Sequence, residues 1–309
     1  MDESTGTDRR KLLKCMLWAG SGVVWTVAGG IPRSSIISNT AQAAPTRGFA
    51  FAQISDSHIG FNRDPNTDTP GTLAAACEML KAHKPSLVLH TGDVSHLSKE
   101  AEFDTAEKII GGAGFDVHYV PGEHDWIEDN GKPFLARFQK GTKQDGEGGY
   151  YSFDAEGVHF VGLNNVANLK AGGLGDLGEG QLAWLEKDLA GRSASQPIVV
   201  FAHIPLWTVY EKWGWGTEDG ARALALTKRF GSVTVLNGHI HQVLQKVEGN
   251  VAFHTARATA FPQPAPGTAP SPGPMKVDPS KLRSYLGVTE VSVVRGKDTL
   301  AIVDTPLGA

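Results

Sequence analysis

The stretch Phe49-Ala-Phe-Ala-Gln-Ile-Ser-Asp-Ser-His58 is an apolar run that ends on a carboxylate and an imidazole, Asp56 and His58. A short apolar run of this kind reads as a buried strand. Asp and His are donors that suit Mn, Fe or Zn. The arrangement recurs along the chain. Residues 87–90 lead to Gly92-Asp93, residues 117–120 to Gly122-Glu-His-Asp125, residues 198–202 to His203, and residues 233–236 to Gly238-His-Ile-His241. Helical spacing over residues 72–83 and 99–110 fills two of the intervals, so strands and helices alternate and the fold class is α/β. Ligating residues then gather beyond the carboxyl ends of strands, where loops of such folds converge on a site.

Outside this alternation, residues 150–153 and 158–163 read as an antiparallel pair, and residues 288–294 and 300–303 as a C-terminal β-hairpin about Gly296. Mixed sheets follow. Residues 262–279, rich in Pro, Gly, Ala and Ser, read as an extended loop inside one catalytic domain spanning 44–309.

The amino terminus is set apart by composition. Asp8-Arg-Arg-Lys-Leu-Leu-Lys14 precedes a Gly-rich apolar stretch over 17–31 and then Ala41-Gln-Ala43, the pattern of a twin-arginine export signal cleaved after Ala43. The apolar stretch is interrupted and shorter than the roughly 20 residues of a membrane span, so no stable span is expected after cleavage. Twin-arginine export carries folded proteins, which implies partnership with that machinery, a periplasmic location and metal loading before export. Residues 1–43 hold five Lys or Arg and three Asp or Glu; without them the chain's 29 and 33 become 24 and 30, a net charge of −6. That balance, with no basic cluster, argues against nucleic acid as a partner. Cys15 leaves with the signal. Cys77 is then alone, which excludes an internal disulfide, and its spacing with Leu73, Ala76 and Leu80 puts it on the buried face of a helix.

The ordered set D-x-H, G-D, G-x-H-D, H and G-H-x-H resembles the calcineurin-like metallophosphoesterases over about residues 49–251. Gly178-Glu-Gly-Gln-Leu-Ala-Trp-Leu-Glu186 is similar to a helix of the cyclic-nucleotide phosphodiesterase-like branch. The resemblance implies a four-layer α/β/β/α sandwich of two mixed sheets flanked by helices. It also implies a site with two divalent or mixed-valence metal ions (Mn, Fe or Zn). Carried over by position, Asp56, His58 and His241 hold one ion, His203 and His239 the other, and Asp93 bridges them, with Glu123 in the remaining place. His124 is then the proton donor or phosphate contact, and Asp125 the group that orients its ring. Such a pair of ions activates water for in-line attack on phosphorus in a small-molecule phosphate ester.

Glu123 departs from the family's asparagine. A third carboxylate opposes a dianionic monoester, so a phosphodiesterase is preferred, with a phosphomonoesterase or a non-catalytic metal-binding protein as alternatives. Trp207, Trp213 and Trp215 are candidates for a wall that stacks a flat leaving group or, equally, for loop-core packing, and Arg63, Asn62 and His96 for a phosphate contact or a solvated surface. His83, His90, His118, His159 and His254 lack supporting spacing and read as structural.

Overall fold

The apolar run before Asp56 forms strand β3 (Ala50–Ile54), whose side chains are buried on both faces from Phe51 onward, as a central strand requires. The computed structural model describes residues 49–139, 148–293 and 300–308, and the backbone of 23–28 and 31–36. The chain divides into two units, Met1–Arg47 and Gly48–Ala309. In the first, β1 (Val23–Ala28) and β2 (Ile31–Ile36) pair as an antiparallel ribbon. The paired arginines and the Ala43 cleavage point lie outside the described residues.

In the second unit, β3 is followed by α1 (Thr69–His83), β4 (Val88–His90), α2 (Glu100–Ala113) and β5 (Val117–Tyr119), with β3, β4 and β5 parallel. Helix α1 starts three residues earlier than its apolar spacing suggests. Asp68 caps it, accepting from the Gly71 amide at 2.9 Å, and Pro70 occupies the first turn. The last two strands, β12 (Gly287–Ser292) and β13 (Ala301–Pro306), pair antiparallel with each other, and β12 pairs antiparallel with β3. The first sheet therefore has the order β13-β12-β3-β4-β5.

The second sheet has six strands in the order β10-β11-β9-β8-β7-β6. These are β6 (Tyr151–Ala155), β7 (Val158–Gly162), β8 (Ile198–Ala202), β9 (Val233–Asn237), β10 (Gln245–Glu248) and β11 (Val251–Thr255). Strands β7, β8, β9 and β11 are parallel, and β6 and β10 close the two edges antiparallel. Both sheets are mixed.

Three apolar cores explain the layering. Phe51, Leu89 and Val291 of the first sheet meet Phe160, Val199, Phe201 and Leu236 of the second, so the sheets pack face to face. On the outer face of the first sheet, Leu73 and Leu80 of α1 and Phe103 and Ile110 of α2 share a core with α3 (Lys132–Phe138) and α6 (Leu282–Tyr285). The outer face of the second sheet is covered by α4 (Gly178–Leu189) and α5 (Gly220–Thr227). The result is a four-layer α/β/β/α sandwich. Cys77 is buried in the α1 core, and burial pushes its thiol up to about 11, which leaves it inert as a nucleophile. No helix among the described residues is long and apolar enough to cross a membrane.

Candidate metal centre

Each motif sits in the loop that leaves a strand. Asp56 and His58 follow β3, Asp93 follows β4, Glu123 and His124 follow β5, His203 follows β8, and His239 and His241 follow β9. Because the sheets pack face to face with these strand ends together, residues 183 positions apart come into contact: His58 Nε2 and His241 Nε2 are 3.3 Å apart.

The donors fall into two triads. Asp56, His58 and His241 form one, and Glu123, His203 and His239 the other, each with ligand atoms within 4.8 Å of one another. Asp93 stands between them, its Oδ2 3.4 Å from His58 Nε2 and 3.3 Å from His203 Nε2. Glu123 spans the second triad, with Oε2 2.9 Å from His203 Nε2 and Oε1 3.0 Å from His239 Nδ1. The Glu123–His203 pair lacks hydrogen-bond geometry despite this closeness. Glu123 Oε2, His203 Nε2 and both ring nitrogens of His239 are buried without a hydrogen-bond partner. Buried polar atoms left unsatisfied on three neighbouring residues would cost several kcal/mol together unless a cation used one from each, so the residues present fit a metal.

The backbone sets which ring atoms converge. His203 Nδ1 donates to the Thr91 carbonyl at 2.7 Å and His241 Nδ1 to the Phe261 carbonyl at 2.6 Å. A carbonyl only accepts, so both Nδ1 atoms carry hydrogen and both Nε2 atoms are left for the centre. His239 N donates to both oxygens of Asp56, and His124 N to Asp93 Oδ1 at 2.9 Å. Close approach makes two motif glycines obligatory. A Cβ on Gly122 would lie 2.0 Å from Asp93 Oδ1, and one on Gly238 would lie 2.0 Å from Ser55 Oγ. Five of the seven candidate ligands also have left-handed backbone: Asp56 (φ 53), His58 (φ 40), Asp93 (φ 53), His239 (φ 68) and His241 (φ 53). Each costs on the order of 1 kcal/mol, strain that the surrounding core sustains.

Electrostatics divide the cluster. Burial opposes ionisation of Asp56, but His241 and His203 outweigh it and hold the carboxyl at about 2. Glu123 is likewise lowered, with burial opposed by His239 and His203. His58 is pushed down by burial and by the neighbouring imidazoles, which suits a neutral ligand. His203 is held well above its ordinary value, Asp93 and Glu123 overcoming burial; a cation would displace that proton.

His124 lines the cavity, and its Nδ1 donates to the His96 carbonyl at 2.7 Å, leaving Nε2 to exchange a proton. Its pKa is raised, since Asp93 and Glu123 overcome the effect of burial. Asp125 requires a correction, because it does not hold the His124 ring. Its oxygens accept from the amides of Val94 (3.0 Å), Ser95 (2.8 Å) and Gly122 (3.1 Å), and from Ser95 Oγ at 2.9 Å. Two loops are thus tied together by one buried carboxylate, while a main-chain oxygen takes the role expected of Asp125.

A cavity of about 360 Å³ opens onto the cluster, of a size for a small molecule. Trp213 and Trp215 line it, but Trp207 packs on Phe253 at 4.8 Å in the α4/α5 core and is no part of the wall. His96, Phe61, Phe261, Gln263, Pro272 and Pro274 line it as well. None of the last five belongs to a sequence motif that marks it for the site, and three of them, Gln263, Pro272 and Pro274, lie in the Pro-rich loop. The remaining histidines lie outside the cavity. His159 bonds Asp188 at 2.7 Å, His254 bonds Asp304 at 2.9 Å, His90 bonds Ser57 at 2.9 Å, His118 stacks on Phe153 at 3.8 Å, and His83 pairs with Glu290.

Two carboxylate–imidazole triads with an aspartate between them, at the mouth of a cavity, are a donor set suited to a metal-dependent hydrolase. Residues 49–243 match the calcineurin-like phosphoesterase family, and the chain belongs to it. It is 25% identical over 224 residues to a probable cyclic nucleotide phosphodiesterase of Rhodopseudomonas palustris, covering 68% of this chain and 78% of that protein. It is 26% identical over 189 residues to a glycerophosphodiester phosphodiesterase of Enterobacter lignolyticus, covering 59% of this chain and 65% of the other. Among solved structures, a dimetal phosphatase from Danio rerio superposes with a TM-score of 0.65 at 15% identity, over 84% of this chain and 96% of that one. The fold is therefore that of the dimetal phosphatases, and the chain is a metal-dependent phosphoesterase.

Proposed function

We propose that this chain is an exported phosphodiesterase with a dinuclear centre. Asp56, His58 and His241 would hold one ion, Glu123, His203 and His239 the other, and Asp93 would serve both. Mn, Fe and Zn all suit this donor set. When bound, two such ions supply positive charge to phosphoryl oxygens and lower the pKa of water. The chain's own residues do the rest. His124 Nε2 delivers a proton to the departing oxygen, and the His96 carbonyl fixes the ring that carries it. Phe61, Phe261 and Trp213 enclose the alcohol portions of the ester.

The preference for diesters is carried by Glu123. Its carboxylate lies between His203 and His239, lines the cavity and is held ionised. A monoester brings two negative charges on one phosphorus to this carboxylate, and a diester brings one. The phosphodiesterase names of the two relatives agree with this reading.

Glu123→Asn tests it. The ratio of kcat/KM for a 4-nitrophenyl monoester to that for the matching diester is expected to rise about tenfold, as one repulsive charge is removed. Metal retention should weaken at the same time, so metal content is measured in both proteins. An unchanged ratio at full metal content would sink the charge argument. Fully metallated proteins that hydrolyse neither ester would favour a non-catalytic metal-binding protein.

Export has its own test. Replacing Arg9 and Arg10 by lysine is expected to leave full-length precursor in the cytoplasm, while the unaltered chain is recovered from the periplasm beginning near Ala44. Undiminished export of the variant would reject the twin-arginine route.

A further inference from the structure

Arg63 is the one Lys or Arg among the residues that line the cavity. Besides imidazoles, it shares the charged lining with Asp93 and Glu123. Among the described residues no carboxylate lies within 4.0 Å of its guanidinium. The side chain is nevertheless positioned. Its Cζ sits 5.3 Å from the centre of the Phe61 ring, which is buried and packs against Phe261 at 4.4 Å. Phe261 in turn stacks on His58 at 4.8 Å and meets His241 in a tilted contact at 4.7 Å. An aromatic column thus runs from the first triad to the guanidinium. The turn that carries Arg63 is tied down as well: Asn66 N donates to the Arg63 carbonyl at 2.9 Å, and Asn66 Nδ2 to the Ala260 carbonyl at 2.7 Å. An exposed arginine held over a buried ring at the cavity wall, with no carboxylate partner among the described residues, is available to contact an anion.

We propose that Arg63 is a specificity-determining residue that receives a second anionic group carried on the alcohol portion of the ester. This rests on the phosphodiesterase reading above and names its substrate class. The retained alcohol lies along Phe61 and Phe261, and its carboxylate or second phosphate meets the guanidinium. The pocket then reads where the second negative charge lies. On the reacting phosphorus it meets Glu123 and is disfavoured; at the far end of the alcohol it meets Arg63 and is favoured.

The probes are 4-nitrophenyl phenyl phosphate and its analogue with a carboxylate on the phenyl ring, both read by release of 4-nitrophenolate from the metallated, full-length mature protein. The unaltered enzyme is expected to favour the carboxylated ester about fivefold to tenfold in kcat/KM at low ionic strength. That preference should fall to about onefold in Arg63→Gln and survive in part in Arg63→Lys. It should also shrink in the unaltered enzyme when salt is raised from about 0.05 to 0.5 M, which needs no variant to fold. No preference in the unaltered enzyme, or one that persists in Arg63→Gln, overturns the subsite while leaving the phosphodiesterase reading intact. No turnover of either ester overturns both.

Discussion

Asp93→Ala is expected to lose metal and with it roughly a thousandfold or more of kcat/KM, on the order of 4 kcal/mol of transition-state stabilisation. The magnitude follows from the position of one carboxylate. Asp93 Oδ2 is within 3.4 Å of an imidazole from each triad, and its Oδ1 accepts the His124 amide. Removing it takes a negative charge from both halves of the cluster and releases the loop that carries His124. Metal content should fall to one ion or fewer per chain by elemental analysis, with no recovery of activity at moderate added metal. Asp93→Asn separates the two effects, since an amide keeps an acceptor for His124 N but not the charge. Full occupancy with activity within tenfold of the unaltered enzyme would show that Asp93 is not shared.

His124→Ala is expected to keep its metal and lose turnover selectively. For esters of alkyl alcohols, whose oxygen needs a proton to leave, kcat should fall by about 10²- to 10⁴-fold; for 4-nitrophenyl esters the loss should stay under about tenfold. The pH profile supplies an independent check. An acid must be protonated to act, so activity on poor leaving groups should fall as pH rises through the His124 pKa. That pKa lies above the ordinary imidazole value because Asp93 and Glu123 outweigh burial. The alkaline limb assigned to this group should vanish in His124→Ala. Equal losses on good and poor leaving groups would remove His124 from the role of acid.

Asp125 illustrates how far motif reading reaches. Adjacent to His124 in sequence, it reads as the partner of that ring, yet 3₁₀ backbone over Glu123–Asp125 turns the two side chains apart. The carboxylate then finds four donors from the Asp93 loop and its own turn. Backbone amides need acceptors once buried, and the nearest carboxylate meets that demand. Trp207 poses a similar choice. Its apolar bulk is common to stacking walls and to cores, and only the position of Phe253 on β11 decides between them.

By itself the sequence determined the alternation of strands and helices, the α/β class and the residue types of the candidate donors. Those features are local: an apolar run of strand length is buried whatever its partner, and Asp, Glu and His are recognised by their own chemistry at strand ends. The tertiary structure alone decided which strands are neighbours, as in the pairing of β12 with β3, and hence which donors share a cluster. It decided that five candidate ligands adopt left-handed backbone, a strain invisible in residue type because none of them is glycine. It also brought Phe61, His96, Gln263 and Pro272–Pro274 to the lining of one cavity. Contacts between residues distant along the chain depend on how two sheets and their helices pack, and no local pattern encodes that arrangement.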